Sequence, residues 1–180
     1  MLVADENWYQ IYTRSNAEKK LYEKIIALGA TAFLPLRKVR KQWSDRIKTI
    51  EEPAFKSYIF AKLSVAQMRM VERLSEFCYF VSYGSRSKSG IQRYGKFFPA
   101  ISDHDIDTIA NVLAAFPSTE LLDKSKLAKG TMVQINQDSL KGYQATLLAD
   151  PKGNKVAIDI KGLEQSLVMT VPVALLTVVS

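Results

Sequence analysis

The sequence predicts an α+β protein in two parts, and three observations carry that prediction. Strand-like and helix-like patterns alternate from residue 8 to residue 116, only short strand-like patterns occur from 127 to 180, and a stretch rich in Pro, Ser, Thr and charges lies between them. The expected boundaries are a first domain at 1–116, a linker at 117–126 and a second domain at 127–180. A length of 180 residues suits two small domains, and 47% hydrophobic with 24% charged residues is the balance of a chain able to bury a core.

The first expected strand is Trp8 to Arg14. Period-two alternation sets Trp8, Gln10, Tyr12 and Arg14 on one face and Tyr9, Ile11 and Thr13 on the other, with Tyr9 and Ile11 assigned to the core beneath the helices. Ser15-Asn16-Ala17-Glu18 has the form of a capping box. The helix it opens carries Ala17, Leu21, Ile25 and Leu28 on one side and Lys19, Lys20 and Lys24 outward, and Gly29 is its stop. Residues 32–60 read as extended chain. Pro35 and Pro53 bracket a hairpin with its tip at Ser44-Asp45 and with Arg37, Lys38, Arg40, Lys41, Arg46 and Lys48 crowded on its arms around Trp43.

From Ser57 to Leu63 alternation returns, with Tyr58 and Phe60 on one face and Ile59, Ala61 and Leu63 on the other. Ser64-Val65-Ala66-Gln67 is a second capping box, and it opens a helix with Met68, Val71 and Leu74 as its apolar stripe. A strand is expected from Cys78 to Tyr83, then a mobile basic loop from Gly84 to Phe98. Ser102 is the expected cap of a last helix, buried through Ile106, Ile109, Ala110 and Leu113. Beyond the linker, residues 132–135, 144–148, 155–160, 166–171 and 175–179 are five strand candidates punctuated by Gly130, Gly142, Gly153 and Gly162. Five short strands in so few residues are best satisfied by a small closed barrel, which leaves few free edges.

Charge is distributed unevenly. Residues 1–126 hold 20 Lys and Arg against 14 Asp and Glu, whereas residues 127–180 hold 5 against 4, so the potential for binding an anion lies in the first part. One cysteine, Cys78, and one histidine, His104, exclude an internal disulfide and a Cys/His zinc site. Asp103, Asp105 and Asp107 lack the glycine and terminal Glu of a calcium loop. His104 reads as an exposed first-turn residue and Cys78 as a buried strand residue, and no nucleophile motif or phosphate loop is present. The expectation is therefore a non-enzyme without cofactor or metal. With no apolar run long enough to span a bilayer and Asp5 and Glu6 close behind Met1, a cytoplasmic monomer away from the membrane is expected.

Trp8-Tyr9 followed by Tyr12, Glu18-Lys19-Lys20, Phe33-Leu34-Pro35 and the run from Pro53 to Phe60 resemble, in order, the successive signatures of the NusG family N-terminal (NGN) domain. Gly130 with Val133 and Ile135, then Leu140-Lys141-Gly142 and Ala145, resembles the KOW pattern, with Gln137-Asp138-Ser139 departing from its usual glycine-containing turn. Gln42-Trp43-Ser44-Asp45-Arg46 running into Glu51-Glu52-Pro53 is similar to the UpxY/RfaH-like specialised paralogues. The resemblance implies an NGN domain of mostly antiparallel sheet with flanking helices, then a five-stranded SH3-like KOW barrel.

It also implies a role: an antitermination factor that binds RNA polymerase and keeps it processive on selected long operons such as those for polysaccharide biosynthesis. The alternatives are a general elongation and termination factor of NusG type, or an RNA- or ribosome-binding KOW protein. Tyr12, Tyr58, Phe60 and Phe80 match the surface that takes the clamp helices of the largest polymerase subunit, although pattern alone leaves open that they are ordinary core aromatics. Arg14 and Lys24 match positions facing non-template DNA, and Arg40, Lys41, Trp43 and Arg46 extend that surface. A small-subunit ribosomal protein is the implied partner of the KOW domain. A relative can refold its C-terminal domain into helices, but Val171 to Val179, dense in Val and Thr with Pro172, favours strands here.

Overall fold

The computed structural model describes residues 5–82, 90–127, 130–148 and 154–179. The chain divides into two compact units, Met1–Asp103 and His104–Ser180.

The first unit is built on β1 (Asn7–Thr13), α1 (Glu18–Ala27), β2 (Thr31–Phe33), β3 (Leu36–Gln42), β4 (Ile47–Pro53), β5 (Tyr58–Leu63), α2 (Val65–Val71), β6 (Phe77–Phe80), β7 (Gly90–Arg93) and β8 (Lys96–Pro99). Four strands form an antiparallel sheet in the order β2-β5-β1-β6, and β3–β4 and β7–β8 are separate two-stranded hairpins. The core lies on one face of the sheet, where Tyr9, Ile11, Ile59, Ala61 and Leu63 meet Leu21 and Ile25 of α1 and Met68 and Val71 of α2. The expected assignment of Tyr9 and Ile11 to this core holds. Burial of these aliphatic side chains is worth about 1.5–3 kcal/mol each and fixes which face of β1 and β5 turns inward.

Several local expectations are met and others corrected. Ser64 caps α2 with the full box, Ser64 Oγ accepting from Gln67 N and Gln67 Oε1 accepting from Ser64 N. α1 has no such box. Its N-cap is Ala17, Asn16 takes a left-handed φ of 58°, and Glu18 is buried because its carboxylate accepts from the Ser57 backbone N–H at 2.7 Å. The long-range bond to a loop amide has replaced the local one. Residues 90–98, expected within a mobile loop, belong to the β7–β8 hairpin, and Arg93 on it is clamped to Glu72 at 3.1 Å. Tyr83, Arg86 and Lys88 lie outside the described residues. Cys78 is exposed rather than buried.

The second unit begins in α3 (Asp103–Ala115), followed by β9 (Glu120–Asp123), β10 (Met132–Ile135), β11 (Tyr143–Leu147), β12 (Lys155–Asp159), β13 (Gln165–Thr170) and β14 (Leu176–Val178). α3 buries Ile106, Ile109, Val112 and Leu113, so Val112 takes the place expected for the exposed Ala110. All five expected strands form, in an antiparallel six-stranded sheet of order β14-β10-β11-β12-β13-β9. The sixth is a correction: β9 arises inside the expected linker and pairs with β13, Leu121 opposite Leu167. Gly130 is required by close approach, because a Cβ there would lie 1.5 Å from the Leu147 carbonyl oxygen.

Candidate functional site

β1 is buried on both faces from Trp8 to Ile11. The Trp8 indole N–H donates to Asp103 Oδ1 at 2.6 Å, and Ile101 bridges to the Trp8 backbone. Only toward the end of β1 does the face opposite the core open. There Tyr12 lies across from Tyr58 on β5 and Tyr79 on β6, so the strand register brings three tyrosines to one place. The rings of Tyr12 and Tyr79 stack at 4.9 Å and 13°, and those of Tyr12 and Tyr58 meet edge to face at 5.2 Å and 74°. Tyr79 is 51% exposed and Tyr12 and Tyr58 are half-buried. Partial burial raises the Tyr79 phenol pKa, and Tyr58 and Tyr12 beside it add to the effect. Beside it lies an open groove of about 640 Å³ lined by Phe77, Cys78, Tyr79, Val81, Tyr94 and Phe98 among others.

Two expected members of this surface are elsewhere. Phe60 shares its face with Tyr58 but stands opposite Gln10 on a central strand, contacts Phe33, and is fully buried at 0% exposure. Phe80 is 5% exposed and belongs to the helix-side core, in contact with Tyr9, Phe77 and Phe98. Neither offers surface to a partner. Sequence reasoning missed Tyr79, the neighbour of Phe80 on the opposite face. A register shift between Tyr12 and Thr13 sets the parity of β6, and no residue pattern in so short a strand reveals it.

The basic candidates also separate. Arg14 is exposed at the end of β1, its backbone N–H donating to the Glu76 carbonyl at 3.0 Å and its own carbonyl accepting from the Ala17 N–H at 3.1 Å and the Thr13 hydroxyl at 2.9 Å. Lys24 is engaged: its ammonium donates to both carboxylate oxygens of buried Glu76, at 2.7 and 2.8 Å, and Lys20 joins at 3.2 Å. Lys24 above all, with Lys20 and Ser75, holds the Glu76 carboxyl down at about 2. The charge of Lys24 is thus neutralised within the domain, which weakens it as a phosphate ligand.

Arg40, Lys41, Trp43 and Arg46 come together at the outer end of the β3–β4 hairpin, whose turn closes by Trp43 N–H to the Arg46 carbonyl at 2.8 Å around Ser44-Asp45, as expected. Its root is fastened by Ala54 N–H to the Pro35 carbonyl (2.8 Å), by the Lys19 ammonium to the Glu51 carbonyl (2.8 Å), and by Arg37 and Lys41 to Glu52 (3.1 and 3.2 Å). Those two cations, Lys41 first, lower the Glu52 pKa. Among the described residues no group of His, Cys, Asp and Glu is arranged to hold a metal, and no helix is long and apolar enough to cross a membrane.

The four-stranded sheet thus carries an aromatic cluster at one end, and the basic hairpin is a separate two-stranded sheet. The family model described as "Transcription termination factor nusG" matches residues 6–110. The chain belongs to the NusG family. This is a family of transcription factors, typically binding RNA polymerase. No curated protein gives a significant match. Among solved structures, NusG of Thermotoga maritima, from a study of its domain interaction, is 15% identical, with 97% of this chain and 98% of that one covered and a TM-score of 0.51. That likeness establishes a common fold. Two conformations, A and B, of the MjSpt4:Spt5 complex align at 12% identity over 96% of this chain, with 98% and 97% of theirs covered, both at a TM-score of 0.31.

Proposed function

We propose that this NusG-family chain is an elongation factor that docks on the clamp helices of the largest RNA polymerase subunit through Tyr12, Tyr58 and Tyr79. One observation carries the reading: Tyr12, in ring contact with both Tyr58 and Tyr79, forms with them a partly exposed cluster on adjacent strands of the domain that matches the family. Rigid aromatic anchors are the residue type that dominates interface energies, and their hydroxyls tolerate water before docking. Arg14 and the outer hairpin then face the non-template DNA of the elongation complex, with Lys24 in a supporting place.

The second unit is read as the KOW domain, a small barrel drawn from the meander β10 to β14, with a small-subunit ribosomal protein as its partner. The specialised role, processive antitermination on selected long operons such as those for polysaccharide biosynthesis, is favoured by the similarity of Gln42–Arg46 and Glu51–Pro53 to the UpxY/RfaH-like paralogues.

Affinity purification of the tagged chain tests the docking. Polymerase is expected to co-purify with the native protein and to be lost, at unchanged thermal stability, from the Tyr58→Ala/Tyr79→Ala double variant; full retention by a folded variant refutes the assignment. Transcript profiling after deletion tests the role. A few long operons should lose their distal transcripts, whereas a genome-wide change identifies a general factor instead.

A further inference from the structure

We propose that Tyr94 is a specificity-determining residue: with Tyr79 it bounds a groove that receives one large apolar side chain of the polymerase clamp helices, with an acidic residue of that partner facing Lys96. The inference rests on the docking proposed above for the identity of the partner. It adds an element, the β7–β8 hairpin, to which that docking gives no role.

The turn of this hairpin is built against local preference. Arg93 pairs with Lys96, so the loop is Tyr94-Gly95, and both residues take left-handed φ, 50° and 72°. Such a loop favours Asn-Gly, because a bulky side chain is strained in that region, whereas asparagine and glycine adopt it readily. Burial does not offset the strain: at 78% exposure Tyr94 is the most open of the large hydrophobic side chains among the described residues. A tyrosine that neither suits its turn nor fills a core is explained by what its ring presents.

The ring is nevertheless held in place. The Arg93 guanidinium lies 5.0 Å from its centroid and donates to the phenol oxygen at 3.3 Å. The Arg93 side chain is itself only 9% exposed and is paired at 3.1 Å with Glu72, the C-cap of α2. Tyr94 is thus aimed by a buried arginine fixed to a helix, which limits the freedom it has to lose on docking.

The groove beside the tyrosine cluster is what it faces. β6 lines one side with Cys78 and Tyr79, and the hairpin lines the other with Tyr94, Lys96 and the buried Phe98. The two elements are not strand-paired, and a volume of about 640 Å³ stays open between them, a size suited to enclosing a ligand group. Charge sets the polarity of the occupant. Glu72 is neutralised by Arg93, whereas Lys96 has no ion pair with any described residue, so the groove offers apolar surface with one uncompensated ammonium. Tyr79 sets its identity, because it belongs to the cluster and to the groove alike. Whatever covers the cluster also covers the mouth of the groove.

The test uses the tagged whole chain and RNA polymerase core enzyme, with affinity read by biolayer interferometry. Tyr94→Asn suits the turn, so it should keep or raise the thermal midpoint while weakening polymerase binding about tenfold. A purely structural tyrosine would give the opposite pair of results, a lower midpoint with native affinity. Lys96→Glu should weaken binding too, most at low salt. Cys78 is the only cysteine, is exposed and lines the groove, so it serves as a probe of occupancy. Its alkylation by N-ethylmaleimide, read from the intact mass of this chain, is expected in the free protein and lost in the complex.

Native affinity in Tyr94→Asn or in Lys96→Glu overturns the proposal, as does alkylation of Cys78 at the same rate in the complex and in the free chain. Protection of Cys78 by raising the protein concentration alone, without polymerase, overturns it in favour of a second copy of this chain. The Tyr58→Ala/Tyr79→Ala variant separates the two ideas. If that variant loses polymerase while Tyr94→Asn binds normally, the docking stands and the groove proposal falls. If it keeps polymerase, the docking falls and the groove proposal with it.

Discussion

Tyr79 and Phe80 are neighbours in the chain and point to opposite faces of the sheet. Tyr79 stacks on Tyr12 in solvent, whereas Phe80 completes the aromatic core with Tyr9 and Phe98. Their substitutions should therefore behave oppositely. Phe80→Ala, and likewise Phe60→Ala, removes a buried ring and should destabilise by about 3–5 kcal/mol. Tyr79→Ala should stay within about 1 kcal/mol of native in urea unfolding while polymerase binding is lost. At this scale the sequence was informative about residue type and weak about orientation. Tyr12 and Tyr58 were legible because β1 and β5 are seven and six residues of regular alternation. Phe80 was misplaced because a strand of four residues beside a register shift carries no readable period.

At the level of elements, the joint between α1 and β6 is electrostatic. Glu76, just before β6, is buried under Lys24 and Lys20 from α1 and gives its carbonyl to the Arg14 N–H. Its folded-state pKa of about 2 lies below the ordinary 4.5. The joint therefore contributes stability at any pH above 4.5, and that contribution falls away as pH drops from 4.5 through 2. Urea midpoints measured between pH 6 and pH 2.5 should decline in the native protein, and Glu76→Gln should start lower and decline less. Helix existence was legible here, from the spacing of Leu21 and Ile25, while the helix start was not. Glu18 had two possible partners, the local amide of a capping box and the distant Ser57 amide, and only tertiary structure selects the second. The Ser64 box at α2 had no such competitor, and it formed as its residues indicate.

For the whole molecule, the division at Asp103/His104 gives α3 and β9 to the second unit. A chain of residues 104–180 retains the β9–β13 ladder, with Leu121 and Leu122 against Leu167 and Ser166, and 127–180 lacks it. The longer piece should melt several degrees higher by circular dichroism, since even 1 kcal/mol shifts a domain of this size by about 4–8 °C. The five strands of 132–178 were legible from β-branched runs between glycines. β9 was not, because Glu-Leu-Leu-Asp is too short to show a period and sits among turn-forming residues. The β3–β4 hairpin was legible from its prolines and its turn, and its independence from both larger sheets has a further consequence. Lengthening both arms by two residues moves the tip outward by about 7 Å and disturbs no other strand. The reach of the hairpin tip is thus a property this protein can vary freely, by insertion and deletion, while the four-stranded sheet stays fixed.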